Sequence, residues 1–173
     1  MPSHPLPPEL VPPLDFSFQP LQSLQDLCPD AAPSPTVAVR FPYTGLRSLA
    51  GLHPTLQRLL LHPARLRWLD LACNRLSCIE PVLSTLLGLQ SLNLHGNNIR
   101  DLSEVQKLRP LSELRRLTLN GNPMEEEPGY RRYVLAALPQ LNSLDFSAVT
   151  EQERRDAAVW GRAQGRNRPH REQ

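Results

Sequence analysis

The sequence has few cysteines, little net charge and no long apolar run. It contains three cysteines among 173 residues, and its formal net charge is +2. Because the cysteines are sparse and odd in number, we expect a reducing, cytoplasmic setting rather than a disulfide-built secreted protein. Without a run of about 18 apolar residues, no transmembrane helix is expected. The first residues have neither the positive charge nor the apolar core of a secretory signal.

Motifs for catalysis and for ligand binding are also missing. The sequence has no glycine-rich phosphate loop, no His/Cys cluster with metal-ligand spacing and no nucleophile motif. Cys73 and Cys78 lie near each other, but no second pair completes a zinc site, so we interpret both as small packing residues. We therefore expect no enzymatic activity, no cofactor and no metal. The balanced charge also makes a membrane or a nucleic acid an unexpected partner.

What the sequence does contain is a repeat between Leu66 and Asn122. The pattern L-x-x-L-x-L-x-x-N-x-L starts at Leu66, Leu89 and Leu114, with Met124 in the last slot of the third copy. This is the pattern of a leucine-rich repeat. Alternate strand residues face the same side, and only stacked copies can bury the leucines that point inward. We therefore predict an α/β fold, a right-handed leucine-rich repeat solenoid with a short parallel sheet on the concave face, convex helices and a C-terminal helical cap.

Each clear copy has an asparagine where the chain leaves the strand. A side-chain amide at this point can bond the backbone groups that the bend leaves unpaired. A buried backbone group without a partner costs roughly 1–3 kcal/mol, which explains a polar residue at an inward position. We predict a structural ladder formed by Asn74, Asn97 and Asn122.

The repeat domain extends beyond the three clear copies. VRFPYTGLRSL fits the template in a degenerate form, with Thr44 in the asparagine position and Pro42 after the strand. Proline is tolerated there because an edge strand needs fewer ladder hydrogen bonds. Convex helices are predicted to begin at Ser103, which opens a capping box, and at Pro128, which suits a first helical position. Residues 36–160 are therefore assigned as about four repeats plus a cap.

The C-terminal end of this domain has its own signals. Apolar residues in 141–149 predict a final strand in which Phe146 is one of the core residues. Thr150 and Glu153 have the spacing of a capping box, which predicts a helix that ends near Trp160.

The two ends of the chain differ in composition from the repeats. Residues 1–35 hold ten of the nineteen prolines and four acidic residues, with no Lys or Arg. Inside this arm, PPLDFSF suits an extended segment, and Leu21, Leu24 and Leu27 suit a short helix. The arm either covers the open edge of the first repeat or docks a partner, and covering is favoured because solenoid ends need caps. Residues 161–173 form a basic tail, interpreted as a solvated end or as a contact for acidic surfaces.

The concave sheet is the default binding surface of a solenoid. Its outward positions follow from the repeat register, and the combination of tryptophan and arginine is typical of binding hot spots. The same register continues the face to Asp145 and Ser147. Two alternatives stay open, namely that His95 is only a solvent-facing variable position and that Trp68 packs on its neighbours in the sheet. The predicted protein-binding residues are Arg40, Trp68, Asp70, Asn93, His95, Arg116, Thr118 and Asn120.

These repeats resemble the short-repeat cytosolic class of leucine-rich repeat proteins, which includes the protein phosphatase 1 regulator, the spliceosomal A′ protein and axonemal dynein light chain 1. The segment GNPMEEEPGYRRYVLAALPQLNSLDFSAV resembles the terminal cap of that class. The segments PPLDFSF, LHGNNI and LDFSAVTEQERRDAAVW extend the resemblance to one subfamily over most of residues 12–160. The resemblance implies a cytoplasmic protein without enzymatic activity. Thr44 and Pro42 depart from the class pattern.

We expect an interaction module that holds a protein partner on its concave face. The likeness to axonemal dynein light chain 1 favours a partner and a location in the cilium or axoneme. Two alternatives remain, a regulatory subunit of an enzyme such as a phosphatase and an RNA-protein assembly factor. The second would be expected to have a broad basic face.

Overall fold

A computed structural model describes residues 5–166, and its backbone is a seven-stranded sheet with strands in sequence order. The first six strands pair in parallel, and the seventh pairs antiparallel with the sixth. The predicted α/β solenoid is thereby confirmed. No helix within residues 5–166 is long and apolar enough to cross a membrane. The strands are β1 (Leu14–Asp15), β2 (Ala38–Arg40), β3 (Trp68–Asp70), β4 (Ser91–Asn93), β5 (Arg116–Thr118), β6 (Ser143–Leu144) and β7 (Ser147–Ala148). The α-helices are α1 (Leu52–Leu59), α2 (Tyr130–Ala137) and α3 (Glu151–Arg166).

Strand pairing places the central apolar residue of each repeat over that of the next. Leu69 of β3 pairs with Val39 of β2 and with Leu92 of β4, and Leu92 pairs with Leu117 of β5. All four side chains are buried. Burying one such side chain contributes about 1.5–3 kcal/mol, and here the burial comes from the neighbouring repeat. Stacking between repeats therefore holds the fold together.

The asparagines bond backbone groups of two consecutive repeats. The Oδ1 atom of Asn97 accepts a hydrogen bond from the Leu76 N–H at 3.1 Å. Its Nδ2 atom donates to the carbonyl oxygens of Leu71 and Leu94, both at 3.0 Å. A single buried side chain thus pairs groups in its own repeat and in the one before it. The same arrangement is made by Asn74 and Asn122.

The N-terminal arm covers the first edge of the sheet. β1 pairs in parallel with β2, and the Phe16 ring stacks on Phe41 with 5.3 Å between centroids. Leu24 lies in a 3₁₀ turn, Leu24–Asp26, and is fully buried, as is nearly all of Leu27. The apolar core therefore continues outward into the arm.

The convex side consists of α1 and short 3₁₀ segments. The third repeat crosses this side through the 3₁₀ segment Leu102–Leu108. The prediction that a helix begins at Ser103 is wrong, because the N-cap is Asp101 and the segment begins at Leu102. The Asp101 carboxylate accepts the Ser103 N–H at 2.8 Å. The predicted start at Pro128 is also wrong. There the left-handed backbone of Gly129, with φ of 74°, delays α2 to Tyr130.

The chain reverses direction after β6. The prediction of a final strand through Phe146 is wrong, because Asp145 and Phe146 have positive φ values of 53° and 64°. Two consecutive residues of this kind form the tight turn of a hairpin, which leads into β7. Phe146 consequently leaves the core. Ser147 pairs with Leu144 instead of continuing the concave column.

Asp145 closes the C-terminal edge instead of facing outward as the register predicted. Its Oδ1 atom accepts the N–H groups of Leu119 and Asn120 at 2.7 and 3.0 Å. Its Oδ2 atom accepts the hydroxyl of Tyr130 at 2.7 Å. Burial and this hydrogen bond raise the pKa of Tyr130, so the hydroxyl stays a donor. A side chain thereby takes the place of backbone partners that another repeat would supply.

Helix α3 packs on α2 and completes the cap. The predicted capping box is present, with the Glu153 N–H donating to Thr150 Oγ1 at 3.1 Å and the Thr150 N–H donating to Glu153 at 2.9 Å. Arg131 of α2 binds Glu153 at 2.6 Å. This ion pair, and next the Thr150 N–H, lower the pKa of Glu153 to about 2.

The basic tail begins inside α3, because that helix runs to Arg166 and not to about Trp160. Trp160 lies beneath the Arg132 guanidinium, 5.0 Å from the ring centroid, and beside Tyr133. These contacts keep the second half of the helix against α2. Residues 167–173 of the predicted tail lie outside the described residues.

Replacing Asn97 with alanine is expected to lower the free energy of unfolding by about 1–3 kcal/mol. The buried Leu76 N–H loses its partner, and the carbonyls of Leu71 and Leu94 each lose one of their two amide donors. Urea denaturation followed by circular dichroism measures this change. The matched control is Asn98→Ala, which removes the same amide from the exposed neighbouring position. An equal loss at both positions would contradict the role assigned to the ladder.

Leu24→Ala is expected to cost about 2–5 kcal/mol, since it leaves a cavity in the core that the arm completes. The same denaturation measurement applies. Leu10→Ala makes the same change at an exposed arm position and should leave stability unchanged. If Leu24→Ala behaves like this control, the arm does not cap the solenoid.

The Glu153 ion pair predicts a defined pH dependence. Its pKa in the folded chain lies below its ordinary value of about 4.3, so its stabilisation is complete above that pH. The contribution is lost as the pH falls toward about 2. Glu153→Gln should lower the melting temperature at pH 7, with the difference from the unsubstituted chain shrinking between pH 5 and pH 2. Glu151→Gln, in the same helical turn, is the control, and a constant difference for Glu153→Gln would refute the assignment.

Candidate protein-interaction face

The concave face carries a groove of about 770 Å³. Its floor comes from the middle strands, and its rim comes from the loops that follow β1, β2 and β6. Five of the eight predicted binding residues lie together in it. They are Arg40, Trp68, Asp70, Asn93 and His95.

A neighbouring groove of about 350 Å³ shares part of this lining. Arg116 and Thr118 lie here, beside Trp68 and Asn93. Asn120 contributes to neither groove. Its Oδ1 atom is buried and has no hydrogen-bond partner within residues 5–166. The structure therefore brings seven of the eight predicted residues onto two adjoining surfaces and leaves Asn120 outside them.

Hydrogen bonds connect the floor residues from strand to strand. The Trp68 indole N–H donates to Asn93 Oδ1 at 2.6 Å, and Asn93 Nδ2 donates to Thr118 Oγ1 at 3.4 Å. The Nδ1 atom of His95 lies 2.7 Å from the same hydroxyl. Both Trp68 and His95 are thus held by neighbours in the sheet while part of each ring remains exposed. A partner would meet a pre-ordered surface here.

Asp70 holds neighbouring groups of the concave face in place and is too buried to offer much contact surface to a partner. It is only 5% exposed, and its carboxylate accepts the Arg40 Nε–H at 3.2 Å and the Ala72 N–H at 3.0 Å. Thr118 is equally buried. In contrast, Arg116 is exposed and free to contact a partner. The outward positions of the strands therefore divide into buried supports and exposed contacts, which the repeat register alone does not distinguish.

Arg40 joins two carboxylates and an aromatic ring. Its guanidinium donates to Asp70 and, at 3.1 Å, to Asp15 of the arm, and it lies 5.5 Å from the Trp68 ring centroid. Hydrogen bonds from Ser17, and next the Arg40 charge, lower the pKa of Asp15, so this carboxylate stays ionised. The two acids and one base leave the groove with one net negative charge.

Three exposed aromatic residues at the rim were missed by the sequence analysis. Phe18 is 72% exposed, Tyr43 56% and Phe146 71%. Phe18 and Tyr43 stack on each other with 4.8 Å between centroids, and Phe146 makes an edge contact with His95 at 5.4 Å. All three line the main groove. The groove is therefore bounded by aromatic surface at both its N-terminal and C-terminal ends.

Two of these aromatics occupy a position that glycine fills in the later repeats. Phe18, Tyr43 and Cys73 have φ values of 65°, 57° and 55°, and the equivalent Gly96 and Gly121 have 70° and 73°. For a residue with a side chain, left-handed backbone costs roughly 1–2 kcal/mol. Aligning the residue before each ladder position would have revealed Tyr43 in place of glycine, but not Phe18, because the arm has no ladder position. No comparable signal marks Phe146, whose exposure depends on the hairpin.

Comparison with known proteins agrees with this architecture. A family model described as leucine-rich repeat matches residues 46–170. In the solved structure of the Drosophila melanogaster SNF/U2A′ complex, one chain matches 89% of this chain over 87% of its own length, with a TM-score of 0.66 and 24% identity. At that identity the likeness concerns the fold alone.

Sequence relatives cover nearly the whole chain. Leucine-rich repeat-containing protein 51 of Mus musculus is 44% identical over 164 residues, which is 87% of this chain and 85% of the relative. The Homo sapiens protein of the same name is 43% identical over the same shares. The chain therefore belongs to the leucine-rich repeat family, in the group of the proteins named leucine-rich repeat-containing protein 51.

Proposed function

We propose that the chain is a non-enzymatic scaffold that binds a protein partner in the groove of its concave face. Leucine-rich repeat proteins generally act as protein-interaction scaffolds, and the concave sheet is their usual binding surface. The observation that carries the proposal is the coexistence of exposed Phe18, Tyr43 and Phe146 with a hydrogen-bonded polar floor in one groove. Aromatic and arginine side chains dominate the energetics of protein interfaces.

The ordered floor favours binding by a rigid surface. Trp68 and His95 already have fixed hydrogen-bond partners, so little side-chain freedom is lost when a partner arrives. Arg116 stands exposed beside them and supplies a charge at the border of the groove. The proposed contacts are therefore Trp68, His95 and Arg116, with Asp70 and Thr118 as supports.

The proposed setting is the axoneme, and the support for it is the resemblance of the repeats to axonemal dynein light chain 1. Charge gives no support to an RNA-protein assembly role, because the face carries both signs of charge. Asp15 and Asp70 lie beside Arg40 in one groove, and Arg67 and Arg116 lie in the other. A broad basic face would be the expected signature of RNA contact.

The double substitution Trp68→Ala with Arg116→Glu is expected to abolish partner binding without unfolding the chain. Trp68 is half-buried and Arg116 is exposed, so the core stays intact. The measurement is proximity labelling from ciliated cells, comparing the unsubstituted chain with the double variant. Axonemal proteins should be enriched by the former and absent with the latter.

The control makes comparable changes, the loss of an apolar side chain and the reversal of a charge, at positions outside the two grooves. Leu87→Ala with Arg109→Glu removes an exposed apolar side chain and reverses one charge outside the two grooves. This control should retain the partners. Unchanged labelling with the concave variant would place the binding site elsewhere, and a phosphatase or spliceosomal set lost with it would replace the axonemal assignment.

A further inference from the structure

We propose that the N-terminal half of the groove recognises a basic side chain, a lysine or arginine next to apolar residues in an unfolded or extended segment of the partner. The cation would lie against the stacked rings of Phe18 and Tyr43, beside the Asp15 carboxylate. This inference rests on the proposed function and adds the chemistry of the partner to it.

The first support is the backbone at which the rings are placed. The amide groups of Phe18, Tyr43, Cys73 and Gly96 make equivalent hydrogen bonds to the next repeat, so the four residues share one structural position. The position requires left-handed backbone, and glycine satisfies it without strain. Large aromatic residues held in this conformation indicate a role other than folding.

Steric crowding explains why the later repeats have glycine at this position. It does not explain why the arm and the first repeat have aromatic residues there. A Cβ atom at Gly96 would lie 3.0 Å from the sulfur of Cys73. At Phe18 and Tyr43 the side chains extend toward solvent and stack on each other, and Tyr43 also lies beside the Cys73 side chain. Most of the Phe18 surface and more than half of that of Tyr43 remain exposed, so the stack presents aromatic surface to a partner.

The second support is charge. The groove holds the carboxylates of Asp15 and Asp70 and the guanidinium of Arg40, a net charge of −1. The Asp15 side chain is 45% exposed, and its pKa is lowered, so it offers a negative charge at the surface. An acidic side chain at this end of the groove would be repelled by Asp15, and a purely apolar one would leave this carboxylate without a new partner.

The third support is that another cation in this groove, the Arg40 guanidinium, is already bound by carboxylates and an aromatic ring. Arg40 lies over the Trp68 ring and between Asp15 and Asp70, which is recognition of a cation by aromatic and carboxylate groups. The Phe18 and Tyr43 rings next to Asp15 repeat the combination on the exposed side. Cations are attracted to aromatic faces within about 6 Å, most strongly when water is partly excluded.

The test begins with random short peptides displayed on phage and selected on the full chain. Enriched peptides should contain lysine or arginine beside apolar residues. Synthetic copies should bind at least roughly tenfold more weakly when the basic residue is replaced by glutamine. Binding is measured by isothermal titration.

Two variants of the chain test the site itself. Phe18→Gly with Tyr43→Gly should weaken peptide binding roughly tenfold or more, while the melting temperature stays equal or rises because strained backbone is relieved. A merely structural role for the rings would lower the melting temperature instead. Asp15→Asn should weaken binding of the basic peptide but not of its glutamine analogue. Leu87→Ala, at an exposed apolar position outside the groove, should change neither quantity.

Four outcomes would overturn the inference. These are selection of acidic or purely apolar peptides, no enrichment of any peptide, unchanged binding by the double glycine variant, and self-association of the chain that occupies the groove in light scattering. The proposed scaffold function is tested separately by the Trp68 and Arg116 variant. If that variant loses its labelled partners but the peptide experiments fail, the scaffold function stands. Only the inference that the partner carries a basic side chain is then refuted.

Discussion

Every repeat must provide partners for the backbone groups exposed where the chain turns out of its strand. Asn74, Asn97 and Asn122 do so, and each bonds its own repeat and the one before it. Since unpaired buried groups are costly, a repeat without its neighbour would be poorly satisfied. The amide ladder therefore couples the repeats, and the regular spacing of the strands depends on it. The spacing between side chains on the concave face therefore follows from the spacing of the strands.

The two ends of the sheet solve the same problem with different chemistry. At the N-terminal edge, the arm adds a strand and buries Leu24 and Leu27 in the core. At the C-terminal edge, the Asp145 carboxylate bonds the amide groups that follow β5, and the hairpin turns the chain back. Both closures also shape the groove, because the arm contributes Phe18 and the hairpin contributes Phe146. The interaction face is thus completed by residues outside the regular repeats.

Periodic features could be predicted from the sequence, and features set by local backbone geometry could not. The leucine spacing predicted the strand order, and the strand register brought Trp68, Asn93 and Arg116 into neighbouring positions. The burial of Asp70 was not predictable, because it depends on the Arg40 side chain, which reaches across from the preceding strand, β2. The hairpin at Asp145 and Phe146 was missed because apolar alternation through Phe146 imitates a strand. Ser103 was misassigned because Asp101 competes for the same cap.

The closure at Asp145 also limits how this chain could change in length during evolution. A duplicated repeat inserted between β3 and β5 would find matching asparagines on both sides and could stack without altering either end. A repeat added after β6 would meet an antiparallel strand, and the two amide groups bound by Asp145 would already be occupied. Duplicated repeats can therefore be accommodated in the interior of the solenoid but not at its C-terminal edge. Phe18 and Phe146 would stay at opposite ends of the sheet, however many strands lie between them.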